Sequence, residues 1–165
     1  MGASQTVKVA RDGQIKIYDG TQPTSLTHTV SYEDGDFSLT PEPAERVVIR
    51  DRGSIVGVRS GDDGVGTFSM SCYMREFSDA TDTTIIDVIE QTGGASAWLS
   101  SGGTGYTPYL LDIEFTAEGS DHGDDGDHKI ELTKCHLTWD FAEGKDGNKI
   151  NISGEIYGTI TRSEP

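Results

Sequence analysis

Apolar and polar positions alternate along most of the chain, and the alternation predicts strands. From Val65 to Glu76, Phe68, Met70, Cys72 and Met74 share one face, which predicts a long strand with one buried side. Near the end, Ile150, Ile152, Ile156 and Ile160 point one way while Asn151, Ser153, Glu155, Tyr157, Thr159 and Thr161 point the other. That predicts a strand over roughly 149–162 with one wet face. Over 129–142 the phase slips. Ile130 and Leu132 lie on one face, and Cys135, Leu137, Trp139 and Phe141 lie on the opposite one. A change of phase inside one strand predicts a β-bulge near Thr133–Lys134.

Shorter alternating runs fill the first half. Residues 6–18 read as a hairpin around an Asp-Gly turn, 26–32 as a strand, and 37–40 as its continuation after a second Asp-Gly turn. "PEPAE" at 41–45 breaks the pattern, and "RVVIRDRGSIVGV" gives two short strands around Arg52-Gly53. A short strand is expected around Trp98 and another over 109–115. A helical period occurs once, over Asp82–Gln91, where Ile85, Ile86, Val88 and Ile89 form an apolar stripe. Thr81 or Asp82 is positioned to cap its start, and Gly93 and Gly94 follow its end. About ten residues of helix are marginal alone, so the stripe must pack on a sheet. The fold class expected is mainly β, an antiparallel sandwich or barrel with one flanking helix at about 82–91. One domain is expected over 1–165, with flexible parts at 1–5, 40–65, 118–128 and 163–165.

Composition sharpens this picture. The chain has 165 residues, 33% hydrophobic content and 21 glycines, which suits many short strands and turns. Twenty-eight acids face 13 bases, a net charge of −15. Such a charge opposes ordinary DNA-backbone binding, which needs Lys and Arg to displace counterions. It fits a protein that repels polyanions or simply stays soluble. Cys72 and Cys135 are too few for a disulfide framework and read as small buried hydrophobes. No apolar run approaches the roughly 20 residues of a membrane span, so no membrane partner is expected. "MGASQT" matches the loose myristoylation pattern but has no polybasic neighbour, and it reads as coincidence.

Candidate chemistry is thin. In "GSDHGDDGDH", Gly126 at position 6 of an EF-hand frame puts Asp121 and Asp125 at positions 1 and 5, but Gly123 at 3 and Leu132 at 12. The bidentate acid is missing. His122, His128 and Asp124 complete no closed zinc set either. The stretch reads as a solvated polar loop, with no metal and no cofactor. "GGTGYT" lacks the Gly-Lys-Ser/Thr ending of a phosphate loop, and no GxSxG is present. His28 and His136 fall within strand patterns. No catalytic residue can be nominated, and a non-enzyme is expected.

Three stretches carry a resemblance. "GTFSMSCYMREFSDATDTTIIDVIE" runs from a strand through a polar loop into a short amphipathic helix. "LLDIEFTAEGSDHGDDGDHKIELTKCHLTWDFAEGKDGNKINISGEIYG" has an acidic loop between two strands, then a turn into a final strand. "KIYDGT" is a weaker third. Over about 65–160 the chain resembles the major tail tube proteins of long-tailed, siphovirus-like bacteriophages. The resemblance implies a β-sandwich flanked by a helix, and hexameric rings of identical copies stacked into a hollow tube that passes phage DNA into the host. It implies a virion tail location after synthesis in the host cytoplasm. The implied partners are further copies, tape measure, terminator and distal tail proteins, and DNA in transient non-specific passage. Loops that order on stacking are expected at 40–65 and 118–128. Glu33, Asp34, Asp36, Asp121, Asp124, Asp125 and Asp127 are the acidic residues expected at the lumen or between rings.

Two other readings remain. One is a tube protein of a contractile secretion system, with a related fold and the same stacking logic. The other is a carbohydrate-binding β-sandwich module, whose aromatic platform would have to come from Trp98, Tyr106 and Tyr109.

Overall fold

A computed structural model describes residues 13–30, 37–118 and 126–163. Ten antiparallel strands and one helix make up the described fold. The strands are β1 Gly13–Tyr18, β2 Thr27–Val30, β3 Ser38–Thr40, β4 Arg46–Asp51, β5 Ser54–Ser60, β6 Gly66–Tyr73, β7 Leu111–Ala117, β8 His128–Ala142, β9 Lys149–Ile156 and β10 Ile160–Ser163. The helix α1 spans Ile85–Glu90. The main sheet runs β2-β1-β7-β8-β9-β6-β3, with β10 also on β8, and β4-β5 form a separate two-stranded hairpin.

Strand β8 belongs to both halves of this sheet. Its first part pairs β7 on one side and β10 on the other, and its second part, Cys135–Ala142, pairs β9. The change happens at Lys134, a non-glycine residue in the left-handed region at φ 55. Its register with β7 shifts there, from Leu132 opposite Ile113 to Cys135 opposite Leu111. The bulge expected from the phase slip is therefore present. It lets Leu132 and Cys135, three positions apart, both face inward and be fully buried.

Both halves bury their inner faces in one core. Ile15, Ile17 and Ile113 come from one half, and Met70, Ile150 and Ile152 from the other. Phe37 bridges them, stacking on Phe115 of β7 at 4.9 Å and on Phe68 of β6 at 6.4 Å between ring centroids. The helix closes the core with the expected stripe: Ile85, Ile86, Val88 and Ile89 are all buried. At six residues it depends on this burial for its stability.

Several expectations are corrected. The helix begins at Ile85 instead of Asp82, because the Thr84 hydroxyl accepts from the Asp87 amide and caps it. It ends in a left-handed Gln91, not at a glycine; Gly93 instead opens a 3-10 turn, Gly93–Ala95. Trp98 lies in no strand. Its side chain fills the core, and its carbonyl accepts from the Gln91 amide group. The strand expected over 149–162 is broken into β9 and β10. Gly158 sits between them, where a Cβ would collide with the Thr133 hydroxyl, so the chain turns tightly around the bulge. The hairpin expected at 6–18 is described only from residue 13, and the turn at 33–36 lies outside the described residues.

Candidate assembly surfaces

Two buried carboxylates fix the loops that flank the sheet. Asp87, at the start of α1, accepts from the Ser78 hydroxyl at 2.8 Å, the Asp79 amide at 3.0 Å, and the Thr84 and Thr92 hydroxyls at 2.9 Å each. Asp19 accepts from the amides of Thr21, Leu26 and Leu99. Burial alone would raise both pKa values. The hydrogen bonds outweigh it and hold both below the ordinary aspartate value. Both carboxylates are matched to several protein donors, so these acids are structural ties.

The second half of the sheet presents one continuous polar face. Its rows run across β3, β6, β9 and β8 by strict register: Thr40, Thr67, Glu155, His136, then Ser38, Ser69, Ser153, Thr138. A third row continues with Ser71, Asn151 and Asp140. Hydroxyls dominate, with one amide, one imidazole and two acids among them; these three rows contain no Lys or Arg, and the row after them, Tyr73, Lys149 and Ala142, brings in Lys149. Thr138 and Ser153 hydroxyls lie 3.1 Å apart, and the Asn151 amide donates to Asp140 at 2.7 Å. The first two rows form a shallow open depression of about 540 Å³. Beneath it, Gly154 leaves room for the Phe68 ring, which a Cβ at that position would strike.

Both margins of this polar half are open. Among the described residues, β3 has no strand on its outer side, and β8 has none beside its outer edge beyond Cys135. The other half of the sheet wears a different face. There Lys16 stands opposite Glu114, Glu114 opposite Glu131, and Lys129 reaches Glu114 at 3.4 Å.

The third surface is the β4–β5 hairpin. Among the described residues it pairs with no strand of the main sheet. Ile55, Val56 and Val58 are 59%, 61% and 59% exposed, and Val48 and Ile49 are also exposed. Isolated surface aliphatics are ordinary, but here Val48, Val58 and Ile55 share one face of a small hairpin, with Ile49 exposed on the other. Sequence reasoning finds the two strands and their turn but gives no sign of this exposure, because aliphatic alternation normally marks a core.

The acidic candidates fall mostly outside view. Glu33, Asp34, Asp36, Asp121, Asp124 and Asp125 lie outside the described residues. Asp127 is exposed just before β8, at the end of that strand remote from the polar rows. The acids the structure does bring to the polar face are Glu155 and Asp140. Glu155 belongs to the wet face that the alternation marks, whereas Asp140 is signalled only by its place between Trp139 and Phe141. The aromatic platform required of a carbohydrate module is not assembled. Trp98 is buried, the Tyr109 hydroxyl is buried, and Tyr106 lies under the Lys134 ammonium at 4.5 Å.

No family model matches the chain, and no curated protein matches it in sequence. The fold itself recurs in solved structures of contractile injection systems. One is a chain from the sheath/tube terminator of the PVC extracellular contractile injection system in its extended state, with a TM-score of 0.63 and 11% identity over 98% of this chain and 100% of that one. The tube-terminating cap of the anti-feeding prophage matches with a TM-score of 0.60 and 10% identity, over 100% and 96%. A chain of the extended PVC sheath–tube complex gives 0.59 and 11%, over 98% and 93%. The chain shares this fold from end to end of those proteins.

Proposed function

We propose that this protein is a non-enzymatic structural subunit of a tail-like tube, whose copies close side by side into rings. The observation that carries the reading is the polar half-sheet with two unpaired margins. An open strand edge is a liability in a monomer. In a ring, β3 of one copy pairs with the outer edge of β8 in the next, and the sheets join into a closed barrel. The hydroxyl and carboxylate rows then line the bore. Three rows free of Lys and Arg, with Lys149 of the next row lying over the Tyr73 ring, give phosphate little purchase, so a polyanion such as phage DNA slides without sticking.

The fold likeness to a sheath/tube terminator and a tube-terminating cap favours a second reading, in which the copies form one ring at the end of a tube. A contractile injection tube carrying protein cargo is a variant of the same architecture. The polar bore suits either cargo. Tape measure, terminator and distal tail proteins are the further partners this role requires, and hexameric rings in a virion tail are its expected setting. Of the two segments expected to order on stacking, 40–65 holds the β4–β5 hairpin, and 119–125 lies outside the described residues.

Negative-stain electron microscopy of the concentrated full chain separates these readings. Stacked rings support a tube subunit, and single rings of fixed size support a terminator. A monomer at every concentration and ionic strength would defeat both.

A further inference from the structure

The sequence holds six Asp-Gly pairs, and three lie wholly within the described residues: Asp19-Gly20, Asp63-Gly64 and Asp146-Gly147. Such a pair carries its own chemistry. The amide nitrogen that follows an aspartate can attack the side-chain carboxyl carbon, and a glycine there has no Cβ to obstruct the approach. The attack needs both groups free to move, and the fold treats the three pairs differently.

Asp19-Gly20 is locked. Asp19 is 1% exposed, and its carboxylate accepts from the amides of Thr21 at 3.1 Å, Leu26 at 2.6 Å and Leu99 at 3.0 Å. The Gly20 amide is committed to the Leu99 carbonyl at 2.8 Å. A Cβ on Gly20 would meet the Ser100 carbonyl oxygen at 2.2 Å, so backbone also closes around the glycine. Asp63-Gly64 is half free. Asp63 is exposed, but the carbonyl oxygens of Glu42 and Pro43 stand 2.6 and 2.7 Å from where a Gly64 Cβ would sit.

Asp146-Gly147 is the loose pair. It lies in the turn between β8 and β9, and Asp146 is exposed. Among the described residues, no donor is bonded to the Asp146 carboxylate. The Gly147 amide donates to the Gly144 carbonyl at 3.3 Å, longer than an ordinary N–H···O bond. Gly147 holds φ 137, a conformation that glycine adopts freely. What stands beside it is the edge of the Tyr73 ring, 3.0 Å from the place of a Cβ, a side chain that can swing aside.

We infer that Asp146 is a site of spontaneous isoaspartate formation, and that the fold directs the reaction to it over Asp63 and Asp19. The Gly147 nitrogen bonds to Asp146 Cγ. The nitrogen's proton and the carboxyl hydroxyl leave as water, and a succinimide ring closes. A second water then adds to one of the two ring carbonyls and breaks its bond to nitrogen. Opening at the main-chain carbonyl of Asp146 leaves the chain running through the side chain, with a free α-carboxylate. One water is lost and one regained, so composition is unchanged. The turn becomes longer by one C–C bond, about 1.5 Å. That extra length falls in a segment tied to β6, where the Met74 amide donates to the Asn148 carbonyl at 2.9 Å. None of this depends on the ring reading above.

The test uses the full chain, aged for weeks at neutral pH and body temperature, beside a sample aged in denaturant. Both are digested with an endoproteinase that cuts before aspartate and not before isoaspartate, and the peptides are mapped by mass spectrometry. Isoaspartyl methyltransferase with labelled S-adenosylmethionine marks the product in each peptide. In the folded protein, isoaspartate should form at residue 146 at least about tenfold faster than at 63 or 19. A peptide lighter by one water, the succinimide, should precede it. In denaturant the three sites should react at comparable rates. Equal rates at 146 and 63 in the folded protein overturn the inference. So does the same ranking in denaturant, because the order would then come from local sequence and not from the fold. Asp146→Glu, whose larger ring closes far more slowly, should remove both the succinimide and the methylated product from the 143–149 peptide; their persistence would place the reaction elsewhere and also overturn the assignment.

Discussion

The backbone amide of Lys134 donates to Asp112 Oδ1 at 2.9 Å, and this bond pins the point at which the sheet divides. Lys134 holds a left-handed conformation that costs a non-glycine residue about 1 kcal/mol or more. The Asp112 carboxylate satisfies the amide that the bulge removes from the ladder. From the other side, the Lys134 carbonyl accepts from the Tyr157 amide at 3.1 Å. Asp112→Ala leaves the Lys134 amide without its partner, and it should lower stability by about 1–3 kcal/mol. A urea midpoint equal to that of the parent would show that the bulge holds without the carboxylate.

Acid should unlatch the loops before it melts the sheet. Asp19 and Asp87 have folded-state pKa values below that of an unfolded aspartate, near 3.9. In both, burial raises the pKa and the hydrogen bonds more than reverse it. A depressed carboxylate stabilises the fold fully above the unfolded value. That contribution drains away as pH falls from about 4 through the folded pKa values, because the unfolded chain takes up protons first. Asp87→Asn should be less stable at neutral pH and show a flatter loss of stability below about pH 4. Thermal melts from pH 7 to pH 2 read this directly. Parallel curves for parent and variant would mean that Asp87 contributes nothing to the acid response.

Much of this fold is legible in the sequence, for a physical reason: period-two burial leaves its trace in the order of residue types. The 68–74 and 150–156 faces, the bulge near Lys134 and the buried helix stripe all follow from it. What stays hidden involves contacts distant in sequence or supplied by backbone. The cap lies at Thr84 because Asp87 gathers donors from Ser78, Asp79 and Thr92, which no local rule foresees. Trp98 carries a strand-like pattern, yet it is a core residue of a loop, and its neighbours lie elsewhere in the chain. The two strands of the β4–β5 hairpin are legible, but their exposure depends on the absence, among the described residues, of a covering layer. The polar rows are half legible: β9 declares its wet face, whereas alignment with β3, β6 and β8 needs the register.

Gly154 tests whether the polar face and the core are coupled through one residue. It lies between Ser153 and Glu155 on β9, with the Phe68 ring on its buried side and the His136 carbonyl 3.0 Å from where a Cβ would sit. Gly154→Val forces Phe68 out of its site or parts β8 from β9. Overpacking of this kind costs about 1–3 kcal/mol or more. The substitution should lower the melting temperature, and Gly154→Val with Phe68→Ala should lose clearly less stability than the two single variants added together. If the single variant melts with the parent, the close approach of ring and backbone is not rigid.

The polar rows can be located in an assembly with thiol chemistry, because the native cysteines are silent. Burial pushes the thiol pKa of Cys72 to about 11. Burial, with the Asp112 charge nearby, pushes that of Cys135 to about 12. At mildly alkaline pH almost no thiolate forms at either, and both are sealed in the core. The folded parent should therefore resist maleimide and react at both positions only in denaturant. Ser153→Cys introduces one thiol at the centre of the polar face, where a similar-sized side chain should change stability by no more than about 0.5 kcal/mol. In the monomer it should react with a small maleimide and with a long polyethylene-glycol maleimide alike. In assembled rings or tubes the small reagent should still enter, while the polymer should be strongly slowed. Equal reaction with both reagents in the assembly would put these rows on the outside, and the bore would have to be built from another face.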